Sequence, residues 1–171
     1  METGVSYSAA DYIGLLQMQT HPEGGYYVPT YRSTEQVPAA ALPPRFGGDR
    51  SFSTGIYFLL EGGDFSSFHR IASDELWHFY DGCGLEIFVI HPDGRGVVLR
   101  LGRDLANGFA FQQWVPAGSW FAARVTDPAG FALVGCTVAP GFDFADFELA
   151  RKEELLLQFP QHRNWIGELC R

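Results

Sequence analysis

The sequence lacks any cluster of lysine or arginine: 12 basic residues face 20 acidic ones, and the formal net charge is −8. Nucleic acids and anionic membranes are bound through basic patches, so neither is an expected partner. Cysteine is scarce as well. Cys83, Cys136 and Cys170 are odd in number and far apart, which offers neither a disulfide framework nor a paired CxxC motif. Three reduced, structural thiols suit the cytoplasm, which is the expected location. No apolar run approaches the roughly 18 residues that a membrane span needs. Glu2 and Asp11 stand where a secretory signal would carry a basic segment and an apolar stretch.

Glycine, proline and aromatic residues are plentiful instead. The chain holds 20 Gly and 10 Pro, and aromatics reach 15%, with 15 Phe. That mixture suits short strands joined by tight turns. At 171 residues, 46% of them hydrophobic, the chain is expected to form one domain (residues 1–171) with a full core.

Ser8 and Asp11 ahead of Tyr12, Ile13, Leu15, Leu16 and Met18 predict a short capped helix within residues 8–19. Residues 26–32 read as extended, and the proline- and glycine-rich stretch 35–50 reads as a long exposed loop. From residue 51 the apolar residues adopt period two, as at Ile56, Phe58 and Leu60. Turn signals then recur every few residues up to about residue 146, separating about nine strands. No helix-length segment lies between them, so the expected class is all-β, an antiparallel sandwich or barrel over about residues 26–146. Phe147, Leu155, Leu156 and Phe159 announce a C-terminal helical segment within 147–169, interrupted by Pro160.

The chemistry-bearing stretch runs from Gly63 to Gly82. His69 and Ile71, two apart on a strand, share a face. Glu75 opens the following strand, and if the two strands are neighbours its carboxyl meets the His69 imidazole inside the barrel. Such a pair serves proton transfer or divalent-metal binding.

Gly63, His69, Ile71, Glu75 and Gly82 keep the spacing of the first cupin motif, with Ile71 at the place of its second histidine. Pro116, Gly118 and Phe121 follow the second cupin motif, with Phe121 at its histidine. Together with the phrases around His21–Tyr26, Tyr31–Ser33, Ile56–Leu60, Ser73–Tyr80 and Thr137–Asp143, the chain resembles the short cupins of the fifth cupin family over roughly residues 8–160. That family is catalogued mainly as a domain of unknown function. The resemblance implies a double-stranded β-helix, the jelly-roll cupin barrel, with a short N-terminal helix and a C-terminal helical segment, and it implies a homodimer.

Carried over residue by residue, the resemblance leaves His69 and Glu75 of the cupin metal cage, while Ile71 and Phe121 cannot ligate. Two ligands fall short of the three usual for an open catalytic zinc site, so no metal or other cofactor is expected. A divalent ion between His69 and Glu75 is the lesser alternative, with His78 as a third ligand only if its strand is bulged. Some cupin-fold sugar epimerases work without metal, a histidine removing a proton beside a keto group. By that analogy His69 is the expected base, Glu75 its orienting partner, and His78 a further candidate. Trp77, Trp114 and Trp120 are candidates for a stacking wall, Tyr57 and Phe121 for the pocket lining, and Arg32 for an anchor to a carboxylate or phosphate. The expected function is binding of a small polar or sugar-like metabolite in the barrel, with epimerase- or isomerase-type proton transfer. A non-catalytic or storage-type binding cupin is the alternative, and a metal-dependent cupin enzyme the third reading. His21 and Glu23 read as turn residues, His91 as a hairpin residue, and His162 as solvated.

Overall fold

The computed structural model describes residues 6–171, so Glu2 lies outside the described residues. Ser8 caps helix α1 (Ala9–Leu15): its hydroxyl accepts from the Asp11 N–H, and the Asp11 carboxylate accepts from the Ser8 N–H at 2.8 Å. This reciprocal pair satisfies two of the donors that a helix start leaves open. The helix is shorter than its apolar pattern because Gln17 turns to a φ of +53°, and the chain then extends as β1 (Gln19–Thr20).

Two sheets face each other. The first places β1, β2 (Tyr26–Arg32), β5 (Thr54–Glu61), β12 (Phe131–Ala139), β7 (Asp74–Gly82) and β10 (Gln112–Val115) side by side in that order. The second has the order β13 (Glu148–Leu149), β6 (Ser66–Arg70), β11 (Trp120–Val125), β8 (Leu85–Ile90) and β9 (Gly96–Leu101). A ribbon of β3 (Gln36–Val37) and β4 (Arg50–Ser51) stands apart. Strand neighbours distant in sequence, such as β5 beside β12 and β6 beside β11, are the signature of the expected jelly roll. Among the described residues nine strands have four or more residues, as the turn spacing indicated, and four have two.

Alternation along the strands sorts the side chains into layers. Phe58 and Leu60 from β5, Trp77 and Phe79 from β7, and Phe121 and Ala123 from β11 fill the space between the sheets. The alternate residues Phe68, Phe88, Trp120 and Ala122 face outward from the second sheet. There they pack under α2 (Lys152–Gln158) and α3 (Arg163–Leu169), through Leu155, Ile166 and Leu169. Leu59 and Leu133 face outward from the first sheet beneath α1.

The stretch read as a long exposed loop is more ordered than its composition suggested. The β3–β4 ribbon anchors it, Phe46 is buried, and Arg50 makes a two-pronged ion pair with Asp146 in which both side chains are 6% exposed. His162 is not simply solvated. It stacks on Trp165 at 4.9 Å and bonds the Gly94 carbonyl.

Candidate functional site

A cavity of about 310 Å³ lies between the two sheets. Glu23, Phe58, His69, Ile71, Glu75 and Cys136 are buried and form its floor, while Pro29, Tyr31, Arg32, Asp143 and Phe144 are exposed and form its rim.

His69 reaches the floor by simple strand alternation, together with Ile71. Glu75 does the same from β7, but β6 and β7 belong to different sheets, so the two side chains project from facing walls. No hydrogen bond or ion pair joins them. The expected His69–Glu75 pair is therefore corrected: the partner of His69 is Glu23, whose Oε2 lies 3.0 Å from His69 Nε2.

Glu23 owes its place to a tight turn. His21 N–H donates to Gly25 O, Gly24 N–H donates to His21 O, and Gly24 and Gly25 hold φ values of +114° and +72°. A Cβ on Gly24 would collide with the Phe65 carbonyl, so only glycine lets the turn carry residue 23 inward. Once there, Glu23 accepts from Ser66 Oγ at 2.9 Å. Its carbonyl accepts from Ser67 N–H and from the Arg171 guanidinium.

One proton organises the Glu23–His69 contact. His69 Nδ1 lies 2.8 Å from the Ser67 carbonyl, an acceptor, so Nδ1 carries hydrogen. Nε2 then presents a lone pair to Glu23 unless a proton lies between them. Burial disfavours the ion pair: it drives His69 down to about 3 and, together with the Glu75 charge, raises Glu23 well above the carboxylate range. The arrangement that follows is a neutral carboxylic acid donating to a neutral imidazole. His21 Nδ1, 3.4 Å from Glu23 Oε2, is also pushed down by burial, to about 4. Across the floor Glu75 is raised by burial to about 7, opposed by a hydrogen bond from the Cys136 thiol. That thiol is itself driven up by burial.

The other expected site residues divide. Arg32 stands on the rim, its guanidinium donating to the Phe142 carbonyl and to Ser51 Oγ. Phe121 packs on His69 with ring centroids 4.0 Å apart, and Trp77 lies behind Phe58 in the core. Neither Phe121 nor Trp77 lines the cavity, although both are expected there; they pack in the core beside it. Four further residues point out of the barrel. His78 points out of the first sheet, where it bonds Thr137 and Gln112; the bulge in β7 falls beyond it, at Leu133/Val134 opposite Asp81 and Phe79, and does not turn it inward. Tyr57 shares that outer face, edge-on to Tyr80. Trp114 is exposed, and Trp120 lies under the C-terminal helices. Alternation explains all four: each occupies the outward parity of its strand.

The donor set does not fit a cupin metal cage. Ile71 and Phe121 occupy two ligand places with hydrocarbon, and among the described residues no group of three or more His, Cys, Asp or Glu side chains is arranged to hold a metal ion. Glu23 and His21 were the residues that sequence reasoning left in a turn. The Gly24–Gly25 pair marked an unusual backbone, but nothing in linear spacing connects residue 23 to residue 69.

Two facing antiparallel sheets around a polar-floored cavity define a cupin-type jelly roll. The family model for the cupin superfamily (DUF985) matches residues 10–150, and the chain belongs to that family. It is similar to the uncharacterized protein YML079W of Saccharomyces cerevisiae, 32% identical over 153 residues that cover 82% of this chain and 74% of that one. Among solved structures it is similar to protein SO0799 from Shewanella oneidensis, with a TM-score of 0.86, 42% identity, and coverage of 97% of this chain and 99% of that one. A hypothetical protein from Leishmania major gives a TM-score of 0.85 at 32% identity, covering 96% of this chain and 99% of that one. Oxalate decarboxylase from Bacillus subtilis shares the fold alone, at 15% identity and a TM-score of 0.52.

Proposed function

We propose that the cavity binds a small polar or sugar-like metabolite and moves a proton on it without a metal ion. The observation that carries the reading is a pair of acid–base groups on one buried cavity floor with different tasks. Glu75, at about 7, is suited to accept a proton near neutral pH. Glu23, kept protonated, is suited to donate one when a ligand oxygen replaces His69 Nε2 as the acceptor of its proton. The roles first expected of His69 and Glu75 are thus redistributed. Glu75 removes a proton from carbon beside a carbonyl, Glu23 protonates the carbonyl oxygen, and the reverse steps return both protons. Arg32 at the rim offers unused N–H donors to an anionic end of the ligand.

Incubation with a metabolite library in heavy water tests this directly. A substrate should gain deuterium beside its carbonyl, and Glu75→Gln should slow that exchange by about a hundredfold or more. Ligands that bind in the cavity with no exchange would establish the alternative, a binding or storage role.

The reading includes a homodimer and a cytoplasmic site of action. The outer face of the first sheet presents Leu76, Tyr80 and Trp114, between 41% and 54% exposed, as a patch suited to a second copy. Three free cysteines suit a reducing compartment. Among the described residues no helix is long and apolar enough to cross a membrane. Sedimentation of the full chain should give a dimer that Leu76→Glu dissociates. A monomeric wild type would remove the dimer from the account.

A further inference from the structure

We propose that the floor of the cavity receives the protonated nitrogen of a small amine, held between the Glu23 and Glu75 carboxyl groups. The ligand's apolar or aromatic body would lie along Tyr27, Phe58 and Phe142. The inference rests on the cavity being the ligand site and not on the proton-transfer step.

Glu75 is the first reason. Its side chain is more than nine-tenths buried, it lines the cavity, and among the described residues no N–H or O–H group donates to it. The weak Cys136 thiol is its one donor. A buried carboxyl without a strong partner is costly, and a ligand that supplies one recovers that cost. Glu23 is the second reason. It lines the same floor, near enough that the Glu75 charge opposes its ionisation.

The charges around them settle the sign. His21 and His69 are kept neutral by burial. Among the described residues Arg32 is the one Lys or Arg lining the cavity; it sits on the exposed rim, already donating to Phe142 and Ser51, where Asp143 adds another carboxylate. The lining therefore holds two ionisable carboxyls, Glu75 and Asp143, and the neutral acid Glu23 as an acceptor, against one cation that is remote from the floor. An ammonium group completes the set: it forms charge-assisted hydrogen bonds with both carboxyls and is attracted to the aromatic faces. An alcohol of the same shape gains only neutral hydrogen bonds, and a carboxylate adds a like charge.

Benzylamine, benzyl alcohol and benzoate share a body and differ in the head group. Titration of the isotope-labelled full chain at pH 7 gives affinities by NMR, and nuclear Overhauser effects to Phe58 and Ile71 locate the ligand. Benzylamine should bind about tenfold or more tighter than benzyl alcohol, and benzoate weakest. Glu75→Gln should weaken benzylamine about tenfold and leave benzyl alcohol within about twofold. The wild-type ranking decides the matter even if the variant fails to fold. If benzyl alcohol or benzoate contacts Phe58 and Ile71 and matches benzylamine in affinity, the amine assignment falls while the ligand site stands. If no probe contacts a cavity residue, both fall.

Discussion

Replacing Glu75 with glutamine should stabilise the protein at neutral and alkaline pH relative to wild type, and do so progressively less as the solution is acidified. Burial raises the carboxyl from 4.5 to about 7 in the folded chain. Below pH 4.5 folded and unfolded chains both hold the proton, and the site imposes no ionisation penalty. Between 4.5 and about 7 the unfolded chain has released its proton while the folded chain retains it, so wild-type stability falls as pH rises. Above about 7 both forms are ionised and the penalty is constant. At about 1.4 kcal/mol per pH unit, the accumulated penalty is about 3 kcal/mol. Glutamine keeps the shape and removes the titration. His21 and His69 work in the opposite direction: held near 4 and 3, they contribute stability above pH 6.5 that is lost as pH falls toward those values. Both histidines are present in both proteins and largely cancel in the comparison. Urea denaturation from pH 4.5 to 8.5 should therefore show the variant gaining about 3 kcal/mol on wild type across the range, equivalent to roughly 6–12 °C in Tm. A difference that stays constant with pH, or moves the other way, would refute a buried Glu75 that is neutral at low pH.

Two further substitutions probe the scaffold around the site. Arg50→Ala leaves Asp146 buried without its partner and should cost about 3–5 kcal/mol by chemical denaturation. A double variant with hydrocarbon at both positions should recover part of that loss. Arg171→Ala removes the guanidinium bonds to the carbonyls of Glu23 and Phe65. Amide exchange at Gly24 and Gly25 should then accelerate about tenfold, the measure of one lost charged hydrogen bond; unchanged exchange would mean that the turn holds itself.

The fold was legible because its signals are local. Period-two alternation from residue 51 onward and closely spaced turn residues report strands wherever those strands end up, and alternation alone places His69, Ile71, Glu75 and Phe121 inward. Partner choice was not legible. Whether β6 and β7 pair, or face each other from different sheets, depends on β11 and β12, which lie far along the chain. That choice separates His69 from Glu75. Glu23 escaped for a related reason: a glutamate before two glycines reads as a turn, and its meeting with His69 spans 46 residues of sequence. Trp114 and Trp120 were drawn toward the site by residue type, whereas their parity sends them out of the barrel. The Arg50–Asp146 pair, which orders a proline-rich stretch, left no local mark at all.

The one-proton link between Glu23 and His69 is most directly read from the ¹⁵N chemical shifts of the His69 ring between pH 5 and 8. A neutral ring throughout, hydrogen on Nδ1 and an accepting Nε2, is what the buried acid–imidazole pair requires. A doubly protonated ring at pH 7 would mean that the floor holds an ion pair instead, and the acid assigned to Glu23 would be lost.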